Sequence, residues 1–167
     1  MIMQKHFFIL LAGCVVLSQA AVAQVAVHIE PATLHTTRPL TDQSKAAVIR
    51  DYLHAWNGLQ AALEQNRPEL LDADFVGIAK DRLADTIHQQ RQLGIRTHYQ
   101  DRSHDLQLLF YSPDGLSIEL TDTVEYDVQL IDHDKVISTQ RESARYLVVL
   151  APSEVRWRVR LFQSTHD

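Results

Sequence analysis

Residues 116–130 have the sequence LSIELTDTVEYDVQL, in which apolar and polar side chains alternate. This period of two is typical of a β-strand with one face in the core and the other in solvent. A single residue breaks the pattern, because Asp122 occupies an even-numbered position, and the other even-numbered positions carry apolar side chains or Tyr126. The stretch therefore predicts a central strand whose core-facing side includes one carboxylate.

Turn-forming residues on both sides extend this strand into a meander. Residues 112–115 (SPDG) fit a type I turn with glycine in the left-handed position. Residues 132–134 and 152–153 are predicted to close two further hairpins. The result is a four-stranded antiparallel meander over residues 97–162. The pairings that these turns predict are Phe110 with Ile118, Leu130 with Val136, and Leu150 with Val155.

The predicted outer face of this sheet is mostly charged but has one apolar end. Glutamate and arginine side chains on neighbouring strands are expected to form solvated ion pairs. Because a large apolar surface patch usually marks a contact, we expect the N-terminal segment or a second copy of the chain to cover the apolar end. The second case is a homodimer through the outer sheet face. The apolar end consists of Leu109, Tyr111, Leu147 and Val149.

The sequence before the meander predicts helices. Thr41 or Asp42 can cap a helix that continues to about Gln65, with apolar side chains at three- and four-residue spacing. A short helix over residues 68–72 and a third helix over residues 75–93 follow. Helices laid across one face of a curled antiparallel sheet make an α+β domain. The inward side chains predicted for the third helix are Phe75, Ile78, Leu83 and Ile87.

Residues 1–23 have the features of an export signal. Lys5 precedes an apolar run, and the small residues at 21–23 match a cleavage site before Gln24. The apolar run is shorter than the roughly 20 residues that a transmembrane helix needs. The chain is therefore predicted to be periplasmic or secreted.

Two alternatives to this cleavage remain open. Residues 11–14 (LAGC) have the form of a bacterial lipobox, which would leave Cys14 lipidated at the new N-terminus. An uncleaved signal acting as a membrane anchor is the other alternative. Membrane attachment is expected only in these two cases.

The remainder of the chain is predicted to be one domain preceded by an extended segment. Residues 24–41 contain two prolines and several threonines, and residues 25–29 have the composition of a short edge strand. Residues 42–163 then form a single domain of ordinary size.

Composition excludes several classes of function. The net charge of −5 and the pI near 5.9 argue against a nucleic-acid partner, which would require a concentrated basic surface. Cys14 is the only cysteine, so a chain cleaved before Gln24 has no disulfide and no thiolate nucleophile. No phosphate loop or dinucleotide fingerprint is present. We therefore predict that the protein has no cofactor and no metal site.

The order of these elements resembles the nuclear transport factor two-like superfamily, which includes ketosteroid isomerase-like and SnoaL-like proteins. The resemblance covers residues 42–163. Locally it lies in the helix with Tyr52 and Trp56, in residues 70–75 (LLDADF), and in the closing strands 146–150 and 156–159. It implies a cone-shaped cystatin-like fold with a cavity between the helices and the concave sheet face. Because members include both enzymes and binding or assembly domains, the fold does not imply an activity.

The cavity implied by this resemblance would receive the polar side chains of the inner sheet face. In the predicted register, His104 and Asp122 are diagonal neighbours on adjacent strands. A carboxylate in an apolar cavity has a raised pKa, and an adjacent imidazole can carry its proton, so this pair is the candidate catalytic pair. The other candidate pocket residues are Arg102, Tyr126 and Glu142 on the sheet, with Tyr52 and Trp56 on the long helix.

Three interpretations of these residues remain open. Asp122, His104, Arg102 and Glu142 can form a structural ion-pair network, since buried charges need partners. The cavity can instead bind a small apolar ligand without chemistry, in an exported binding or assembly domain. In the third interpretation the protein is a cofactor-free lyase or isomerase that acts through Asp122 and His104.

Overall fold

The computed structural model describes residues 24–30 and 39–165. The predicted export signal and Cys14 lie outside the described residues. No helix in the described ranges is long and apolar enough to cross a membrane. The elements are β1 (Ala26–Ile29), α1 (Asp42–Gln65), a 3₁₀ helix (Pro68–Leu71), α2 (Gly77–Gln92), β2 (Ile95–Tyr111), β3 (Ile118–Asp132), β4 (Lys135–Pro152) and β5 (Trp157–Thr165).

Helix α1 has the boundaries that its sequence predicts. Thr41 is the N-cap, and its hydroxyl accepts a hydrogen bond from the backbone N–H of Ser44 at 3.1 Å. At the other end Asn66 adopts a left-handed conformation, and its N–H bonds to the carbonyl of Ala62. One face of the helix is buried against the sheet, and it includes Tyr52 and Trp56.

Helix α2 begins two residues later than predicted, after a short parallel bridge between Phe75 and Val159. This bridge holds the preceding segment against β5 and keeps Phe75 buried. The inward face of the helix is as predicted at Leu83 and Ile87 and differs in the first turn. Ala79 and Ile87 are buried, whereas Ile78, which was predicted to face inward, is 48% exposed.

The sheet has five strands in the order β1-β2-β3-β4-β5. Strands β2 to β5 form the predicted antiparallel meander. The expectation of a four-stranded, purely antiparallel sheet is wrong in one respect, because β1 pairs in parallel with β2 over residues Ser103 to Leu106. The α+β class is confirmed, and the sheet is mixed.

The register between β2 and β3 is as predicted in the middle of the strands and shifted at both ends. His104 lies opposite Val124, and Leu108 lies opposite Leu120. One extra residue in β2 shifts the pairing at Arg102 and another at Leu109. Such β-bulges reverse the face on which the following side chains lie, so Tyr111 is buried in the core rather than on the outer patch.

The two later hairpins keep the predicted inner face but differ in detail. His133 and Asp134 both have positive φ and form a two-residue turn, with Asp132 opposite Lys135. The last turn is wider than predicted: Leu150 pairs with Val159, and Val155 is 82% exposed. A further register shift beside Val159 brings Phe162 rather than Leu161 opposite Val148, toward the core.

Candidate functional site

A buried hydrogen-bond network connects α1 with β2 and β3. The Tyr52 hydroxyl donates to Asp122 Oδ2 at 2.7 Å, and His104 Nδ1 lies 2.7 Å from the same oxygen. The middle register of β2 and β3 places His104 and Asp122 on neighbouring strands, as the sequence predicts. Asp122 Oδ1 has no hydrogen-bond partner among the described residues.

The network continues from His104 to Asp101, which sequence reasoning missed. His104 Nε2 lies 3.6 Å from Asp101 Oδ2. The carboxylate of Asp101 also accepts the indole N–H of Trp56 at 2.9 Å and the side-chain amide of Gln60 at 2.6 Å. Asp101 turns inward because the bulge at Arg102 begins directly after it. This bulge has no marker in the sequence, so the alternation alone could not place Asp101 on this face.

The two carboxylates hold His104 as an imidazolium. Burial lowers the pKa of His104, but the close contacts with the carboxylates of Asp101 and Asp122 outweigh burial and raise the pKa to about 9. Burial and the charge of Asp122 raise the pKa of Tyr52, which therefore stays a neutral donor. An imidazolium between two carboxylates satisfies the requirement that buried charges be paired.

The predicted catalytic pair is not exposed to a cavity. Asp122 and His104 are 0% and 2% exposed. The ring of Trp56 packs edge-on against His104, with 5.3 Å between ring centroids. Neither residue of the pair lines any of the pockets found among the described residues. In this conformation a ligand cannot reach Asp122 or His104.

A separate, mostly apolar pocket of about 190 Å³ lies on the other side of Trp56. We call it the mouth pocket. Helices α1 and α2 form one wall, and β2, β4 and β5 contribute aromatic side chains to the other. Sequence reasoning included Trp56 and missed the rest. The lining residues are Trp56, Leu59, Gln60, Leu63, Leu83, Thr86, Tyr99, Tyr146 and Phe162.

An open groove of about 530 Å³ adjoins the mouth pocket at Tyr146, which lines both. Two predicted pocket residues, Tyr126 and Glu142, line this groove. The hydroxyls of Tyr126 and Tyr146 are 3.4 Å apart. Glu142 is exposed, and its charge contributes to the raised pKa values of Tyr126 and Tyr146 after burial.

Arg102 does not lie in the cavity, contrary to prediction. It is the extra residue of the first β2 bulge, so its side chain lies on the outer face. There its guanidinium donates to Asp127, with a distance of 3.0 Å from Nε to Oδ2, and Arg141 donates to the other oxygen of Asp127. Arg102 is therefore part of an exposed ion-pair cluster rather than the predicted internal network.

A second polar cluster lies where the β4–β5 turn meets α1. Asp74 is buried and pairs with Arg156 at 2.8 Å and with His54 at 3.0 Å. Asp51 accepts the backbone N–H of Trp157 at 2.9 Å. These contacts join the turn to α1, which is a structural role. No group of three histidine, cysteine or acidic side chains in the described ranges has an arrangement that could hold a metal ion.

Comparison with known proteins finds similarity in structure alone. No family model matches the sequence, and no curated protein matches it. The intermembrane space region of the chloroplast protein ARC6 superposes with a TM-score of 0.61 at 15% identity, over 78% of this chain and 100% of that one.

Two further structures show the same similarity. A putative scytalone dehydratase from Novosphingobium aromaticivorans gives a TM-score of 0.51 at 12% identity, over 75% of this chain and 89% of its own. ActVI-ORFA from Streptomyces coelicolor gives a TM-score of 0.50 at 15% identity, over 71% of this chain and 97% of its own. At such identities the comparison identifies the fold and not the activity. The chain shares its α+β fold, with helices packed on a curled sheet, with these structures, in agreement with the fold expected from the sequence resemblance.

Proposed function

We propose that this protein is an exported, non-catalytic binding domain that holds a small, largely apolar ligand in the mouth pocket. The observation that carries the proposal is the separation of the two sites. The pocket is open and largely apolar. The candidate catalytic pair, Asp122 and His104, is instead buried behind Trp56. A concave apolar site with a few polar groups is the usual form of a small-molecule site.

The composition of the pocket supports binding without chemistry. Its polar lining side chains are Gln60, Thr86, the indole of Trp56 and two tyrosines. Burial raises the pKa of Tyr99 to about 12 and that of Tyr146 further, so neither hydroxyl ionises near neutral pH. Gln60 and Trp56 already donate to Asp101. No lining side chain is therefore a general acid or base with a pKa near 7.

The alternative, a lyase or isomerase acting through Asp122 and His104, requires both side chains to reach a substrate. Their burial and their mutual hydrogen bonds support a structural role instead. A general base that is paired with an imidazolium and a tyrosine hydroxyl has no free position for a substrate proton on Oδ2. Oδ1 has no partner, but it too is buried.

The binding proposal is tested with the uncharged fluorescent probe N-phenyl-1-naphthylamine, whose emission rises in an apolar site. Thr86 lies on the exposed rim of the pocket, so Thr86→Trp should fill the entrance without disturbing the core. We expect this variant to bind the probe at least about tenfold more weakly, which is roughly 1.4 kcal/mol.

The matched control is His88→Trp, on the exposed side of the same helix and outside the pocket lining. It should bind the probe like the parent protein. If Thr86→Trp and His88→Trp bind the probe equally well, or if the parent does not bind it, the proposed binding site is wrong.

Export is tested by the intact mass of protein from the cells that produce it. The ARC6 region in the comparison is described as lying in an intermembrane space, so this fold occurs in a compartment beyond a membrane. We expect a mature chain that begins at Gln24. A lipid on Cys14, or an intact Met1, would replace this part of the proposal with one of the membrane-attached alternatives.

A further inference from the structure

Aromatic rings form a connected cluster around the mouth pocket and the groove. The centroid distances are 5.1 Å from Tyr99 to Tyr126, 5.5 Å from Trp56 to Tyr146, and 4.6 Å from Tyr146 to Phe162. Trp56 also lies 6.4 Å from Tyr126, which closes the cluster. The faces of aromatic rings carry negative potential and attract cations, tryptophan and tyrosine most strongly.

Carboxylates lie directly beside these rings. Asp101 accepts the indole N–H of Trp56, and donation to a carboxylate increases the electron density of the indole ring. Glu142 lines the groove together with Tyr126 and Tyr146. After burial and a neighbouring tyrosine, the charge of Glu142 is a further cause of the raised pKa of Tyr99. The negative charge of Glu142 therefore acts on both parts of the site.

No lysine, arginine or histidine is among the residues that line the mouth pocket itself. The imidazolium of His104 lies between two carboxylates, Asp101 and Asp122. Arg102 is on the outer face with Asp127. Arg145 lines the adjoining groove together with Glu142, but it does not line the mouth pocket.

We infer that the ligand of the mouth pocket is an organic cation with a small apolar body, such as a substituted ammonium. This inference rests on the proposed binding function and specifies its ligand. The apolar body would lie among Leu59, Leu63 and Leu83, and the cationic group would lie against the tyrosine rings on the side of Glu142. An anionic ligand in the mouth pocket would instead meet the field of the carboxylates, with no positive side chain among the residues that line the pocket.

The test compares two ligands of the same shape that differ in charge. Benzyltrimethylammonium is the cation, and 2,2-dimethylpropylbenzene is its uncharged carbon analogue. Each is titrated at constant ionic strength against protein loaded with N-phenyl-1-naphthylamine, and displacement is followed by the loss of probe emission. We expect the cation to displace the probe at about tenfold lower concentration than the neutral analogue, in the range of cation–π contacts.

Two variants and one control test whether the preference for the cation arises in the site. Glu142→Gln should reduce the preference for the cation by about threefold, since Glu142 is exposed and its field is partly screened. Glu125→Gln, on the exposed outer face of β3, changes the net charge equally and should leave the preference intact. Tyr99→Leu should weaken binding of the cation more than binding of the neutral analogue. Because both ligands are measured on the same variant, a general loss of folding would affect them equally.

The outcomes separate this inference from the proposed function. Equal displacement by the cation and its neutral analogue overturns the cationic ligand and leaves an apolar binding site. An equal loss of preference in Glu142→Gln and Glu125→Gln also overturns it, because the effect then comes from net charge. If neither compound displaces the probe and the probe itself does not bind, the binding function fails as well.

Discussion

A histidine held between two buried carboxylates makes a contribution to stability that depends on pH. The pKa of His104 is about 9 in the folded protein, against an ordinary value of 6.5. Because the folded pKa is the higher one, the stabilisation is complete below about pH 6.5. It declines as the pH rises and is lost above about pH 9.

We expect the free energy of unfolding to fall by about 2–3 kcal/mol between pH 6.5 and pH 9.5. The measurement is urea unfolding at several pH values, and His104→Gln is the comparison, because it lacks the titrating group. If the parent and His104→Gln lose stability in parallel across this range, His104 is not the imidazolium that we describe.

The hydroxyl of Tyr52 is the only link from α1 to Asp122 among the described hydrogen bonds. Tyr52→Phe removes this bond and leaves the ring in place. Since Asp122 is fully buried, its carboxylate loses a donor that water cannot replace, and we expect a cost of about 1–3 kcal/mol in urea unfolding.

Tyr99→Phe provides the control for this prediction. Tyr99 is half-buried, and its hydroxyl makes no hydrogen bond with the residues that the structure describes. Tyr99→Phe should lower the free energy of unfolding by less than about 0.5 kcal/mol. A similar loss in the free energy of unfolding of both variants would mean that the hydrogen bond from Tyr52 to Asp122 does not stabilise the fold.

At the scale of elements, α1 is fixed by its own ends. The Thr41 hydroxyl caps the first turn, and Asn66 ends the last. We expect Thr41→Ala to lower the free energy of unfolding by about 1 kcal/mol, because an N–H of the first turn loses its acceptor. Gln43→Ala, an exposed change in the same turn, should be nearly neutral. Equal effects in thermal unfolding would remove the cap as the cause.

The limits of sequence reasoning are also clearest at the level of elements. Helix α1 and the middle of β2 and β3 follow from local periodicity and turn chemistry, and both were predicted correctly. The bulges at Arg102 and Leu109 do not follow from the sequence. A bulge inserts one extra residue, which can be of almost any amino-acid type, and reverses the face on which the following side chains lie. For this reason the alternation predicts Arg102 on the inner face and does not predict Asp101 there.

At the scale of the whole molecule, the fold was predictable and the site only partly so. The contact between His104 and Asp122 follows from the register that the sequence predicts. The mouth pocket does not, because it depends on how α1, α2 and β5 meet, and the register shift beside Val159 turns Phe162 into it. Such contacts between distant segments leave no periodic signal in the sequence.

The central claim is that ligand binding and the buried pair are separate. One experiment tests it directly: equilibrium titration of N-phenyl-1-naphthylamine into Asp122→Asn and Thr86→Trp, with the parent protein in parallel. Asp122→Asn keeps the shape of the side chain and changes a residue outside the pocket lining. We predict that Asp122→Asn binds within about twofold of the parent, and that Thr86→Trp binds at least about tenfold more weakly. Loss of binding in Asp122→Asn with normal binding in Thr86→Trp would contradict the account.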